Sequence, residues 1–221
     1  MAQVTQKINW QKALDAEIAA LAGRVPKLLL HVCCAPCSSY VLEYLSEYYE
    51  ITVFYYNPNI SPESEYQKRV EEVRRLISEI SPKHPVSFLE GKYDPERWRE
   101  AVKGLEKEKE GGARCTECFR LRLDETARVA AEGGYEWITT SLTISPLKDA
   151  DRLNRLCIEA AEKYGVQALP SDFKKKGGYL RSIELSRQHG LYRQDWCGCV
   201  WSKAEREEKK RIAETSGQAS L

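Results

Sequence analysis

The stretch KLLLHVCCAPC, residues 27–37, decides the fold. Leu28, Leu29, Leu30 and Val32 form a nearly unbroken apolar run, the pattern of a strand covered on both faces as in a parallel sheet. Cys33, Cys34 and Cys37 crowd the end of that strand, and residues 38–48 then carry helical spacing. Outward from this start, ITVFYY (51–56) reads as a second strand halted by Asn57, Pro58 and Asn59. Residues 61–80 read as a charged helix with Pro62 in its first turn and Val70, Val73, Leu76, Ile77 and Ile80 on one face. A short strand over 86–89 and a helix over 94–102, opened by Asp94 and Pro95, come next. GLEKEKEGG (104–112) then reads as a mobile charged linker. A helix over 115–132 ending at Gly133 and Gly134, a strand YEWITT (135–140), a helix over 148–164 and a fifth strand at 166–169 complete the pattern. Strands alternating with helices of this length predict an α/β fold, an open parallel sheet of about five strands with helices on both faces. Ligands of such sheets sit beyond the carboxyl ends of the strands, where Cys33, residues 57–59 and residues 141–146 fall.

Cysteine spacing points to chemistry at that edge. Seven of the eight cysteines lie in three tight groups: Cys33, Cys34 and Cys37; Cys115 and Cys118; Cys197 and Cys199. A buried structural cysteine has no need of a near neighbour, so the economical reading is one sulfur-rich metal or redox centre assembled from three loops. Cys157, in LNRLCIEAA, reads as core on a helix face. Structural zinc is the chief competitor, since zinc sites also use Cys-x-x-Cys pairs, but a closed zinc site needs only four thiolates. Residues 1–24 read as an amphipathic helix (Ile8, Leu14, Ile18, Leu21) rather than a secretory leader, so the expected setting is the reducing cytoplasm and not a disulfide framework.

At 221 residues, 42% hydrophobic and 30% charged, the chain can bury one sizeable core. The expected division is an N-terminal helical extension over 1–26, a catalytic domain over 27–202 and a charged C-terminal helix and tail over 203–221. No apolar run is long enough to span a bilayer, so no membrane partner is expected. Lys and Arg (34) balance Asp and Glu (33), which excludes a protein basic all over but not a local basic face.

Six ordered segments carry a resemblance: HVCCAPCSSYVLEYL (31–45), YNPNI (56–60), RCTECFRLRL (114–123), TTSLTISPLKD (139–149), SDFKKKGGYLRSIELS (171–186) and LYRQDWCGCVWS (191–202). Together they resemble the QueH family of epoxyqueuosine reductases. The resemblance implies an enzyme that reduces the epoxide of epoxyqueuosine, in the wobble position of tRNA anticodons, to the alkene of queuosine. It implies a [4Fe–4S] cluster on Cys33, Cys34, Cys115 and Cys118 and points to an additional mononuclear iron without fixing its ligands. The sheet also resembles that of the nucleotide-hydrolase superfamily containing the PP-loop ATPases. The Ser-Gly-Gly-x-Asp-Ser phosphate loop of that superfamily is replaced by Cys33-Cys34-Ala35-Pro36-Cys37, so ATP is not expected, nor are cobalamin or flavin. Two other classes stay open on the residues alone: a cluster-bearing sulfur transferase of PP-loop type, weakened by the missing loop, and a zinc-stabilised RNA-binding module, weakened by surplus thiols.

The chemistry itself asks for a reductant. Removing an epoxide oxygen as water takes two electrons and two protons, which only a dithiol or a metal-bound group can supply here; the external electron donor is not identifiable. Adjacent residues of an extended chain point to opposite sides, so Cys33 and Cys34 can share a metal only if the chain turns there. Cys197 and Cys199 suit a redox-active disulfide pair, with metal ligation as the alternative. Cys37 reads as a ligand of a second metal, a thiol near substrate or a helix cap. Asp195 reads as a proton donor, a hard ligand to iron or an ordinary loop carboxylate, and His31 as a core residue before a catalytic acid. For tRNA, Lys174, Lys175, Lys176, Arg181, Arg187 and Arg193 stand against Glu184, interleaved with Phe173, Tyr179 and Tyr192, which suits phosphates and unstacked bases or else a solvated helix face. Asn57, Asn59, Ser141, Thr143 and Ser145 read as hydrogen-bonding partners of the modified base or as turn chemistry alone.

Overall fold

The computed structural model describes residues 8–215. Its elements, in chain order, are α1 (Trp10–Ala20), β1 (Lys27–His31), α2 (Ala35–Leu45), β2 (Glu50–Tyr55), α3 (Glu63–Glu79), β3 (Val86–Glu90), α4 (Pro95–Ala101) and α5 (Ala113–Gly133). Then follow β4 (Trp137–Thr140), a 3-10 turn (Ser141–Ile144), α6 (Ala150–Tyr164), β5 (Gln167–Ala168), α7 (Gly178–Gln188) and α8 (Val200–Thr215). The five strands form one sheet in the order β3-β2-β1-β4-β5, and every pairing is parallel. β1 is central and buried on both faces: Leu28 and Leu30 join one apolar layer and Leu29 the other. α1, α2 and α3 supply Leu14, Val41, Leu42, Val70 and Val73 to the first layer. α5 and α6 supply Leu123, Ala127, Leu153 and Leu156 to the second, so helices cover both faces as expected.

The chain leaves β1 outward through β2 and β3, then returns to the other side of β1 as β4. That reversal opens a crevice beyond the carboxyl ends of β1 and β4, where an open α/β sheet binds its ligand. The segment after β1 and the 3-10 turn after β4 flank it.

Several boundaries depart from the sequence reading for local reasons. α2 begins three residues early, at Ala35, because Pro36 in its first turn already has a helical φ and needs no amide hydrogen there. Pro62 lies outside α3 as its cap. The 104–112 segment is not a free linker: the Arg114 guanidinium donates to the carbonyls of Glu106 (2.9 Å) and Glu108, and the Glu110 amide donates to the Glu205 carboxylate (3.1 Å). α1 is packed into the core through Leu14 and Leu21, and the Trp10 indole donates to Asp151 (3.1 Å). The part of the predicted N-terminal helix before residue 8 and the tail after residue 215 lie outside the described residues. No helix among the described residues is long and apolar enough to cross a membrane.

Asn154 fastens the second half of the fold. Its side-chain amide donates to the carbonyls of Ala150 (2.7 Å) and Ser171 (2.8 Å) and accepts from the Ser171 amide (2.8 Å), all buried. Asn154→Ala strands the Ser171 peptide groups and should cost about 2–4 kcal/mol, seen as a lower urea midpoint with an unchanged m-value.

Candidate metal and redox centre

Three cysteine groups converge at three helix N-termini. Cys34 is the N-cap of α2 in extended conformation (φ −170°, ψ 161°), and Cys37 lies in the first turn. Because the strand has ended at His31 and the chain turns here, the Cys33 and Cys34 sulfurs lie on the same side, 3.8 Å apart. Cys115 is in the first turn of α5, with the Gly111 amide donating to its sulfur (3.2 Å), and Cys118 follows one turn later. Cys199 immediately precedes α8, its sulfur accepting from the Ser202 amide (3.4 Å). Helix N-termini favour thiolates and anions, so the fold directs three such ends at its sulfur. All eight cysteines are free thiols.

Cys33, Cys34 and Cys37 form the tightest set, their sulfurs all within 4.8 Å of one another. A tetrahedral ion with metal–sulfur bonds of about 2.3 Å holds its thiolates roughly 3.8 Å apart, so the triad has the spacing of a single ion. Cys37 thus joins the group around Cys33 and Cys34, and Cys115 and Cys118 do not meet them at that spacing among the described residues. Cys115 packs against the same apolar cluster as Cys33 and Cys34, while Cys118 lies with Cys199, Trp98 and Val102 in the adjoining one. Within the triad one charge is shared: hydrogen bonds from Cys33, then Cys37, hold the Cys34 thiol well below its ordinary value. The same contacts raise Cys33 and push Cys37 well above.

The surprise is the cationic shell. Arg69 and Arg122 are each 1% exposed and Arg114 is 2% exposed. Arg122 donates from Nε to the Cys118 carbonyl (3.1 Å) and from Nη1 to Asn57 Oδ1 (3.2 Å). Burial opposes its charge, and Cys118, Cys197, Cys33 and Cys115 outweigh that opposition and raise its pKa. Arg69, paired with Glu65 (2.7 Å), donates from Nη1 to the Cys197 carbonyl (3.1 Å). Both guanidiniums leave a buried Nη2 with no partner. Lys148 completes the shell: burial again opposes its charge, but Cys197, Cys33 and Cys37 prevail and raise its pKa. Orphaned N–H donors on buried cations around clustered thiolates fit an anionic metal–sulfur group. Sequence reading gave no role to the three arginines or Lys148, because Arg and Lys read as surface by type; Arg114 and Arg122 did lie within the quoted RCTECFRLRL segment and Lys148 within TTSLTISPLKD.

The Cys197–Cys199 loop docks on the β2–α3 loop: the Ser61 amide donates to the Gly198 carbonyl (2.9 Å) beside the Arg69 contact. Gly198 has φ +127°, and a Cβ there would meet Ile60 Cγ1 at 2.8 Å.

Other predicted residues separate. Asp195 is tied to Lys210 (2.7 Å) and Arg206 (2.9 Å), which hold its carboxyl down to about 2. It is held ionised near neutrality, and its ion pairs with α8 match the loop-carboxylate reading among the three offered above. Asn57 spends its amide inside the fold, donating to the Val32 carbonyl (2.8 Å) and accepting from Arg122. Ser145 Oγ accepts from the Leu147 amide (3.3 Å), the turn chemistry alternative. Thr143 Oγ1 lies 3.0 Å from Ser171 Oγ, whereas Asn59 Oδ1 and Ser141 Oγ are buried without partners. His31 is fully buried, 2.9 Å from Thr140 Oγ1 and 3.2 Å from the Tyr56 carbonyl; burial, then Arg122, lowers it to about 3, so it is a neutral core residue. Much of the basic stretch is neutralised from afar. Lys174 pairs with Asp172, Lys176 with Asp15 (2.7 Å) and Arg181 with Glu43 (2.7 Å) and Glu184 (3.0 Å), leaving Lys175, Arg187 and Arg193 exposed. Arg193 itself donates to Ser186 Oγ (3.2 Å).

Comparison with known proteins follows this geometry. The family profile "Epoxyqueuosine reductase QueH" matches residues 28–205. The chain is 43% identical over 201 residues to the epoxyqueuosine reductase QueH of Streptococcus pyogenes serotype M1, covering 89% of this chain and 79% of that one. Its namesake in Staphylococcus epidermidis is 42% identical over 203 residues (89% and 85% covered), and that of Thermotoga maritima 38% over 185 (82% and 93%).

Two outcomes test this geometry. Gly198→Ala should cost about 1–3 kcal/mol in urea unfolding and, in metal-free protein, speed alkylation of Cys197 as its loop lifts from Ser61. Cys157, whose thiol burial pushes up to about 12, should stay unlabelled by iodoacetamide at pH 8 in the folded protein and react only on unfolding, as mass spectrometry of the tryptic peptides will show.

Proposed function

The chain belongs to the epoxyqueuosine reductase QueH family, and on that footing we propose that it reduces the epoxide of epoxyqueuosine in the tRNA anticodon wobble position to the alkene of queuosine, releasing water. It is an oxidoreductase acting on epoxyqueuosine. The observation that carries the chemical reading is the gathering of seven thiols, at three helix N-termini, beside the buried Arg69 and Arg122 and the half-buried Lys148.

The reaction takes up two electrons and two protons: the two carbon–oxygen bonds of the epoxide break, a carbon–carbon double bond forms and the oxygen leaves as water. A [4Fe–4S] cluster with an additional iron, when bound, would supply electrons from a donor outside the chain. Cys33, Cys34 and Cys37 have the spacing to hold one ion, and Cys115 and Cys118, with members of that triad, would hold the cluster. Arg69 and Arg122 oppose the negative charge of such a sulfur assembly. Their unpartnered Nη2 groups are donors available to its sulfur atoms.

Cys197 and Cys199 are assigned to redox exchange. Two thiols closing to a disulfide release two electrons and two protons, the balance the epoxide requires. Arg69 and Ser61 fix the backbone of that pair, and Ser202 orients the Cys199 sulfur. With Asp195 ionised, the thiols themselves are the proton source facing the centre. Lys148, whose charge is favoured by Cys197, Cys33 and Cys37, is assigned to stabilising negative charge at this centre. The exposed Lys175, Arg187 and Arg193 are assigned to phosphate contact, a smaller basic face than the sequence suggests.

Protein purified and reconstituted without oxygen should hold about four or more irons per chain with acid-labile sulfide and convert epoxyqueuosine in tRNA, read by nucleoside mass spectrometry. Cys34→Ala and Cys115→Ala should lose metal and turnover together, whereas Cys199→Ala should keep the visible spectrum while turnover stops. Stoichiometric zinc, with no sulfide and no colour after reconstitution, would sink the reductase mechanism; loss of colour in the Cys199 variant would move that residue into the metal shell.

A further inference from the structure

A cleft of about 170 Å³ opens beside the sulfur centre, between the β2–α3 loop, α4 and the start of α8. Pro58, Pro95, Trp98, Val200 and Trp201 give it an apolar surface, and Asn59, Ser61, Arg99 and Glu106 complete the lining. The centres of its two indoles lie 5.2 Å apart, with the rings inclined at 46°. Trp98 is 3% exposed and shares a small apolar cluster with Cys118 and Cys199, so the cleft's inner wall is also the wall of the thiol site. Trp201 is partly open to solvent, with the Arg114 guanidinium 4.9 Å from its ring centre.

Two buried side-chain atoms of this lining, the Trp98 Nε1 donor and the Asn59 Oδ1 acceptor, have no hydrogen-bond partner. Asn59 is 1% exposed, and its Oδ1 has no hydrogen-bond partner. A buried acceptor left unsatisfied costs on the order of 1–3 kcal/mol, a cost that a ligand N–H removes. Aromatic walls, an unsatisfied buried acceptor and a wall residue packed against Cys118 and Cys199 together describe a seat for a heteroaromatic ring bearing an amino or imino N–H. An unstacked nucleobase has both the π-face and the donor edge.

Resting on the reductase reading, we propose that this cleft receives the wobble nucleobase of the RNA substrate, turned out of the anticodon loop, with its face against Trp201 and an N–H donated to Asn59 Oδ1. Seated there, the base has its substituent directed past Trp98 toward Cys199 and Cys118. The basic exposed side chains act on the phosphates, and the cleft reads the base.

The test uses the reconstituted full chain and two anticodon stem–loops, one carrying epoxyqueuosine and one abasic at the wobble position, with binding followed by fluorescence anisotropy. Trp201→Ala should weaken binding of the epoxyqueuosine stem–loop by about 5- to 150-fold, the range for loss of one base–aromatic stack, while Trp201→Phe stays within a few-fold of wild type. Asn59→Leu should weaken the same ligand. The abasic stem–loop should bind wild type and Trp201→Ala alike, since the base and the indole can be lost only once as a pair. Iron content and the visible spectrum, unchanged in each variant, separate these effects from a damaged sulfur site; if Trp201→Ala loses iron, the comparison rests on Trp201→Leu and Asn59→Leu. Wild-type turnover with undiminished binding by the variants would overturn the cleft and leave the reductase standing. Wild-type protein that neither binds nor converts the epoxyqueuosine stem–loop would overturn the reductase reading and the cleft with it.

Discussion

Enclosing a guanidinium without an opposing charge costs several kcal/mol, and that constraint organises this molecule. Arg122 sits almost fully enclosed between the sheet and α5, and carboxylates do not answer it; sulfur does, through Cys33, Cys115, Cys118 and Cys197. Arg69 stands in the same relation to Cys34 from α3, with Glu65 sharing the load. The thiols and the arginines therefore stabilise one another. Neither set is a sensible interior alone: clustered thiolates would repel, and unpaired guanidiniums would draw water into the core. In that dry centre Cys34 alone among the shifted thiols is held well below its ordinary value, while Cys33, Cys37, Cys115, Cys118 and Cys199 are raised, so the buried cations favour a shared thiolate charge and not full ionisation.

The backbone frame makes that arrangement reachable. β1 ends at the reversal of strand order, α2 starts there with Cys34 as its cap, and α5 and α8 bring their own N-termini to the same edge. Each helix contributes the positive end of its dipole, so the sulfur site is favoured by peptide groups as well as by side chains. Asn57 links the layers, holding the Val32 carbonyl with one end of its amide and Arg122 with the other. A residue whose type suggested substrate recognition is instead a brace, while its neighbour Asn59 keeps an oxygen free.

What the sequence disclosed and what it withheld follow from range. The strands, their parallel character and the position of the first cysteine group were legible because period and apolar run length are local properties: LLL at 28–30 needs no partner to be read. Cys157 was legible for the same reason, lying on the apolar side of α6. The start of α2 was misplaced because Pro36 was not weighed as a first-turn residue. The ion pairs of Lys176 and Arg181 were not legible because their partners, Asp15 and Glu43, lie far earlier in the chain. Asp195 looked poised by chain proximity to Cys197, yet Lys210 and Arg206 on α8 turn it to another use. No local rule distinguishes Arg122, enclosed, from Arg120 two residues away, which pairs with Glu159 on the surface.

The docking of residues 197–199 onto Ser61 and Arg69 bears on the order in which the site is put together. All five strands and five of the seven clustered cysteines precede residue 170, so the sheet and most of its sulfur are complete in chain order before the last pair exists. The third cysteine group is a closing piece, laid across a site already outlined, and its own helix begins at Val200, directly after Cys199. Among the described residues α8 is the last element in chain order, so the edge that holds the first five thiols is finished by the segment furthest from it in sequence.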